Sequence, residues 1–142
     1  MPHPSKRSHA SNPPQGSVLA MLAERSQLDF ELAFYSGVLT AVPDFADVLR
    51  VYAQDLASKG LLKEGLMAEQ KLVLLRPADP DAHYNLACRY ASLKQPDLAL
   101  RTLRTAVELG YRDFRAMVQD RELEAVRKDP RFRALLREYQ SK

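Results

Sequence analysis

The sequence predicts an all-α protein built from antiparallel helical hairpins, and three observations carry that prediction. From Val18 onward, apolar residues recur three and four apart, the period of one helix face, with almost no β-branched alternation. Pro43, Gly60, Pro77, Pro96 and Gly110 divide this stretch into short segments, because proline cannot continue a helix and glycine closes one. The segments also recur in register when residues 46–79 and 80–113 are written as two rows of equal length.

The elements follow in order. Residues 1–17 are expected to be a disordered tail: the first sixteen hold four prolines, three serines and no acid, and lack the apolar residues that could offset the entropy of ordering. Residues 18–142 form the domain. Within it, residues 28–45 read as the second helix of a partial hairpin ended by Pro43. Gly60 separates DVLRVYAQDLASK from LLKEGLMAEQKLVLLR, and Pro77 ends the latter. Asp79 before Pro80 is an N-cap with proline at the first helical position, and Lys94-Gln95-Pro96 closes one helix and opens the next. Gly110 caps RTLRTAVEL. Asp113, Asp120 and Asp129 each stand where an N-cap belongs, which predicts three short helices over residues 114–142.

The two rows carry a specific pattern. Leu86, Ala87, Tyr90, Ala99, Leu103 and Ala106 give the order large, small, large, small, large, small, and Tyr52, Ala53, Leu56, Gly60, Gly65 and Pro77 repeat much of it one row earlier. Small residues where the two helices of a hairpin cross let them approach, while the large ones fill the space between neighbours. This pattern resembles the tetratricopeptide repeat, whose period is 34. Glu69 and Leu72 depart from it, standing where that family prefers an aromatic and a small residue. The ending, with Phe114, Met117, Leu123, Val126, Phe132, Leu135 and Leu136, is similar to the tail that closes many short bacterial proteins of this kind, and a solenoid needs such a cap over its last apolar face. The resemblance implies a short right-handed solenoid of stacked hairpins with a C-terminal helical cap.

Composition narrows the function. The 142 residues carry a formal net charge of +3, and the excess sits at the end, where residues 114–142 hold eight bases against five acids. Acids interleave with these bases and no aromatic stacking motif accompanies them, so nucleic-acid binding is not expected. One cysteine, Cys88, allows no internal disulfide and suits a reducing compartment; a cytoplasmic location is expected, with no membrane span.

No catalytic constellation emerges. His83 and Cys88 are five residues apart on one helix and so face different ways. The glycines of GLLKEG have phosphate-loop spacing, but Leu66 and Met67 stand where the lysine and hydroxyl must be. Asp120, Glu122 and Glu124 alternate by two and read as cap and first-turn residues rather than an acid/base pair. No metal or cofactor is expected, since no second histidine lies at helical spacing from His83.

What the resemblance implies is a concave groove lined by the first helix of each hairpin. In this sequence its residues are Asp47, Arg50, Gln54 and Ala57, then Asp81, Tyr84, Cys88 and Ala91. The expected function is binding of a peptide or protein segment there, with Arg50 and Tyr84 as anchors and no catalysis. The chaperone-tail carboxylate clamp seen in some members is not expected, because Arg50 and Gln54 match its lysine and asparagine only loosely. The alternatives are a self-assembling scaffold subunit, pairing through the open edge at residues 18–45, and a nucleic-acid-binding accessory protein. The expected state is a monomer or weak homodimer.

Overall fold

The computed structural model describes residues 17–140, and among these the chain is all-helical, with no strand. Helix α1 spans Val18–Ala41, α2 Ala46–Ser58, α3 Leu62–Leu75, α4 Pro80–Ser92 and α5 Pro96–Glu108. Then come α6 (Phe114–Gln119), a 3-10 turn (Arg121–Leu123), α7 (Glu124–Arg127) and α8 (Pro130–Gln140). Residues 1–16, where the sequence predicts a tail, lie outside the described residues.

The punctuation read from sequence works through identifiable hydrogen bonds. Asp79 Oδ1 accepts from the backbone N–H of Asp81 and Ala82, Asp113 from Ala116, Asp120 from Glu122 and Asp129 from Arg131. At the other ends, Gly60 and Gly110 take positive φ values of 87° and 120°, and Lys94 takes 61°. In each case the next residue donates its N–H five residues back, Leu61 to Leu56, Tyr111 to Ala106 and Gln95 to Tyr90. This closure satisfies orphan carbonyls of the last helical turn. Gly60 and Lys94 are 34 residues apart, so a lysine holds the left-handed position that glycine holds one row earlier.

One expectation about the N-terminal part needs correction. The stretch before Pro43 is one helix of 24 residues that begins at Val18, so residues 18–27, whose helicity the sequence leaves open, continue the helix expected over 28–45. Ser17, assigned to the tail, is its N-cap, with Oγ accepting from Ala20 N at 3.0 Å. The cause is that Ser17 caps a first stretch rich in helix formers, Leu19, Ala20, Met21, Leu22, Ala23 and Glu24, and no proline interrupts the helix until Pro43.

The helices pack as hairpins, α2 on α3 and α4 on α5, with α1 against α2 and the C-terminal helices against α4 and α5. Ala46 and Pro80, which open α2 and α4, are 34 apart in sequence, and so are Ser58 and Ser92, which close them. Phe114 opens α6 at the same interval again. Small residues sit at the crossings: Ala53, Ala87 and Ala99 are buried, and a Cβ on Gly65 would touch Ala53 O and Arg89 Cδ at 3.6 Å. The hydrophobic core has two parts. One joins Leu49, Leu56, Leu72 and Ala82 with Leu32 and Leu39 of α1. The other joins Leu100, Leu103 and Val107 to Met117, Leu123, Val126, Phe132 and Leu135, with Phe114 and Leu136 packed against it, so the tail residues expected to cover the last hairpin do so.

Candidate functional site

The proposed groove residues separate into an open set and a buried set. On α2, Asp47, Arg50 and Gln54 follow one another at i, i+3 and i+7 and so share a face. Asp47 is exposed, Arg50 and Gln54 half-buried, and Asp81 exposed in the first turn of α4. Arg50 forms an ion pair with Asp79, the N-cap of α4, so one guanidinium ties the two first helices together. Burial works against the Asp79 carboxylate, but the Arg50 bond and the cap amides outweigh it and hold its pKa below the usual range. Asp47 is paired in turn with Arg76 at 3.7 Å.

Tyr84 and Cys88 are not on the open surface. Only 6% of Tyr84 and 1% of Cys88 remain accessible, because the segment after α5 folds back over this part of α4. Tyr84 stacks on Tyr111, ring centroids 4.2 Å apart and planes 6° apart, and its hydroxyl donates to Asp120 Oδ2 at 2.9 Å. The Cys88 thiol donates to the same oxygen at 3.8 Å. Burial, reinforced by the neighbouring carboxylates of Asp120 and Glu122, pushes the thiol well up from its ordinary pKa, and a protonated buried thiol is a poor nucleophile. Spacing on α4 alone could not reveal this, since the covering residues come from a segment some thirty residues later.

The acidic run also does more than cap. Asp120 is an N-cap as expected, but Glu122 reaches Arg89 Nη1 at 2.5 Å. Arg89 is buried to 1% and also donates through Nε to Glu69 Oε1 at 3.0 Å, with Glu69 equally buried. Glu69, out of place against the repeat pattern the sequence resembles, therefore faces a guanidinium from the next hairpin. Its second oxygen has no partner among the described residues, and burial pushes its pKa up to about 7 despite Arg89.

Cys88, Asp120 and Glu122 bring three ligand-type atoms within 4.8 Å of one another, a grouping invisible in the sequence. Two protons already point at Asp120 and the Arg89 cation sits on Glu122. The cluster is thus a hydrogen-bonded lock between α4 and the 3-10 turn, with cationic charge already in place. His83, on the other side of α4, bonds through Nε2 to Pro77 O at 2.9 Å. Among the described residues, no helix is long and apolar enough to cross a membrane.

No protein-family model matches this chain. It is similar to a chloroplastic protein of Arabidopsis thaliana, with 31% identity over 86 residues, a stretch that covers 58% of this chain and 26% of that protein. The chain therefore spans about a quarter of the length of this relative.

Proposed function

We propose that this chain is a tetratricopeptide-type interaction module that binds a peptide or protein segment without catalysing a reaction, in a reducing, cytoplasmic setting. The 34-residue interval between the starts of α2, α4 and α6, with small residues at the hairpin crossings, supports the family reading. The single observation that carries the binding reading is the shared face of α2 and the start of α4, where Asp47, Arg50, Gln54 and Asp81 keep polar groups accessible. Arg50 bridges two hairpins there, and an arginine fork held at that junction suits carbonyls or carboxylates of an extended peptide. Tyr84 is no longer an anchor in this reading; it secures the cap. Against catalysis stands the engagement of each polar group near Cys88 in a structural bond.

The test is to capture the partner from native lysate, identify it, and titrate it against Arg50→Ala and Arg133→Ala, checking that both stay folded. Arg50→Ala is expected to weaken binding by ~2 kcal/mol or more, and Arg133→Ala to change little. The reverse order would move the ligand to the C-terminal helices. Steep weakening by moderate salt would then indicate an acidic or nucleic-acid partner.

A further inference from the structure

Helix α1 is nearly twice as long as α2 against which it packs, 24 residues to 13. Lys59, just after α2, forms an ion pair with Asp29, so the first three turns of α1, Val18 to Leu28, run past the end of their neighbour. These turns form an arm roughly 16 Å long at 1.5 Å per residue. Of its residues only Ala20 is buried, while Val18, Leu19, Met21 and Leu22 are all at least half exposed. On the second half of α1 the face turned away from α2 carries Phe30 and Phe34, 67% and 58% exposed and stacked on each other at 6.5 Å. A helix thus presents two open apolar areas, an arm and a ledge, to water.

The two areas fit each other. At 100° per residue Leu19, Ala23, Ser26, Phe30, Ala33 and Gly37 share one side of α1. If a second α1 runs antiparallel along that side, Leu19 falls opposite Gly37, Ala23 opposite Ala33 and Ser26 opposite Phe30, so Leu19 and Phe30 each meet a small residue, with Leu22 opposite Phe34 at the flank. Among the described residues nothing accounts for Gly37: none lies within 4 Å of where its Cβ would be, its φ needs no glycine, and a glycine inside a helix weakens it. A closely approaching partner helix would use that space.

We infer that α1 is a dimerisation surface whose occupant is α1 of a second copy of this chain, antiparallel about a twofold axis near Leu28, each arm lying on the other's Phe30–Phe34 ledge. The exposed apolar side chains supply several hundred Å² per copy on the order of aromatic and leucine burial, and with flanking residues the pair approaches the ~800 Å² per partner of a standard interface. Charge favours this occupant over an anionic lipid surface, since α1 carries Glu24, Asp29 and Glu31 against the single base Arg25. The sixteen residues before Ser17 hold prolines, polar residues and basic or histidine side chains around Lys6, but no apolar run to cover the stripe. The groove on α2 and α4 plays no part in this inference.

The experiment is sedimentation of the full chain across the micromolar range, alongside Phe30→Asp/Phe34→Asp and Gly37→Leu. The wild type is expected to sediment as a dimer. Both variants should dissociate at least tenfold more readily while keeping the wild-type circular dichroism, Gly37→Leu by filling the space its partner needs. In a third variant, Ala23→Cys/Ala33→Cys should be trapped as a disulfide-linked dimer on mild oxidation, whereas Ala23→Cys/Thr40→Cys, out of register, should not. A wild type that stays monomeric throughout, or a dimer that survives Phe30→Asp/Phe34→Asp, would overturn the inference. So would flotation of monomeric protein with phosphatidylglycerol vesicles that the double aspartate variant abolishes.

Discussion

Arg89 of α4 and Glu69 of α3 form an ion pair at 3.0 Å, with only 1% of either side chain accessible to solvent. Two charged groups have thus been brought out of water at the seam between successive hairpins; Arg89 also pairs with Glu122, whereas Arg89 is the ion-pair partner of Glu69. Removing one partner leaves a buried charge uncompensated, which typically costs about 3–5 kcal/mol, a large share of the ~5–15 kcal/mol that holds a domain folded. Arg89→Met is therefore expected to destabilise the chain by ~3 kcal/mol or more in chemical denaturation. Adding Glu69→Met should recover much of that loss, because an apolar pair of similar volume needs no counter-ion. Strictly additive single and double variants would show that the two residues are not coupled.

The same burial sets a pH dependence. Glu69 is held at about 7 and Asp55, desolvated beside Glu31, at about 6, both above their ordinary values of 4.5 and 3.8. The folded chain then binds more protons than the unfolded one between those limits, so stability falls as pH rises. For Glu69 alone the slope is about 1.4 kcal/mol per pH unit between its two pKa values, flattening above about 7. Denaturation midpoints measured from about pH 4.5 to 8 should decline over this window, and Glu69→Gln should remove the upper part of the decline. A rise in stability across the same window in the wild type would contradict the assignment.

Ala87 is fully buried where α4 crosses α5, and Leu74 is 81% exposed on α3. Ala87→Leu adds three heavy atoms with no space to receive them and is expected to cost ~1–3 kcal/mol or more, whereas Leu74→Ala should stay within ~0.5 kcal/mol. Similar melting temperatures for the two variants would mean that the crossing is not closely packed.

Cys88 reports on the lock between α4 and the C-terminal segment. With its thiol covered and its pKa pushed up by burial and by Asp120, it should react with an aromatic disulfide reagent only as the protein opens, many-fold slower than after denaturation. Tyr84→Phe removes the hydroxyl that donates to Asp120 and should cost ~1 kcal/mol while speeding labelling of Cys88. Labelling unchanged in that variant would show that the Tyr84 bond does not hold the segment down.

Local chemistry is enough to place most of the helices. Asp79 and Asp113 cap from their own side chains, Gly60 and Gly110 take positive φ without a Cβ penalty, and Pro43 stops α1 from its own ring, so each boundary depends on a few adjacent residues. The core is equally accessible, because Ala99, Leu103 and Ala106 recur along α5 with the helical period whatever they pack against. The start of α1 stays open in the sequence for the opposite reason: the row frame reaches back only to residue 28, and it does not weigh the helix formers from Leu19 to Glu24 with Ser17 ahead of them. What only the tertiary structure decided is which polar groups meet across long separations. Tyr84 and Asp120 are 36 residues apart, Arg89 and Glu122 33, and Arg50 and Asp79 29. Helical periodicity assigns a residue to a face, but covering that face depends on where a later segment folds back, and for Tyr84 and Cys88 that covering turned an expected open groove into a closed, hydrogen-bonded seam.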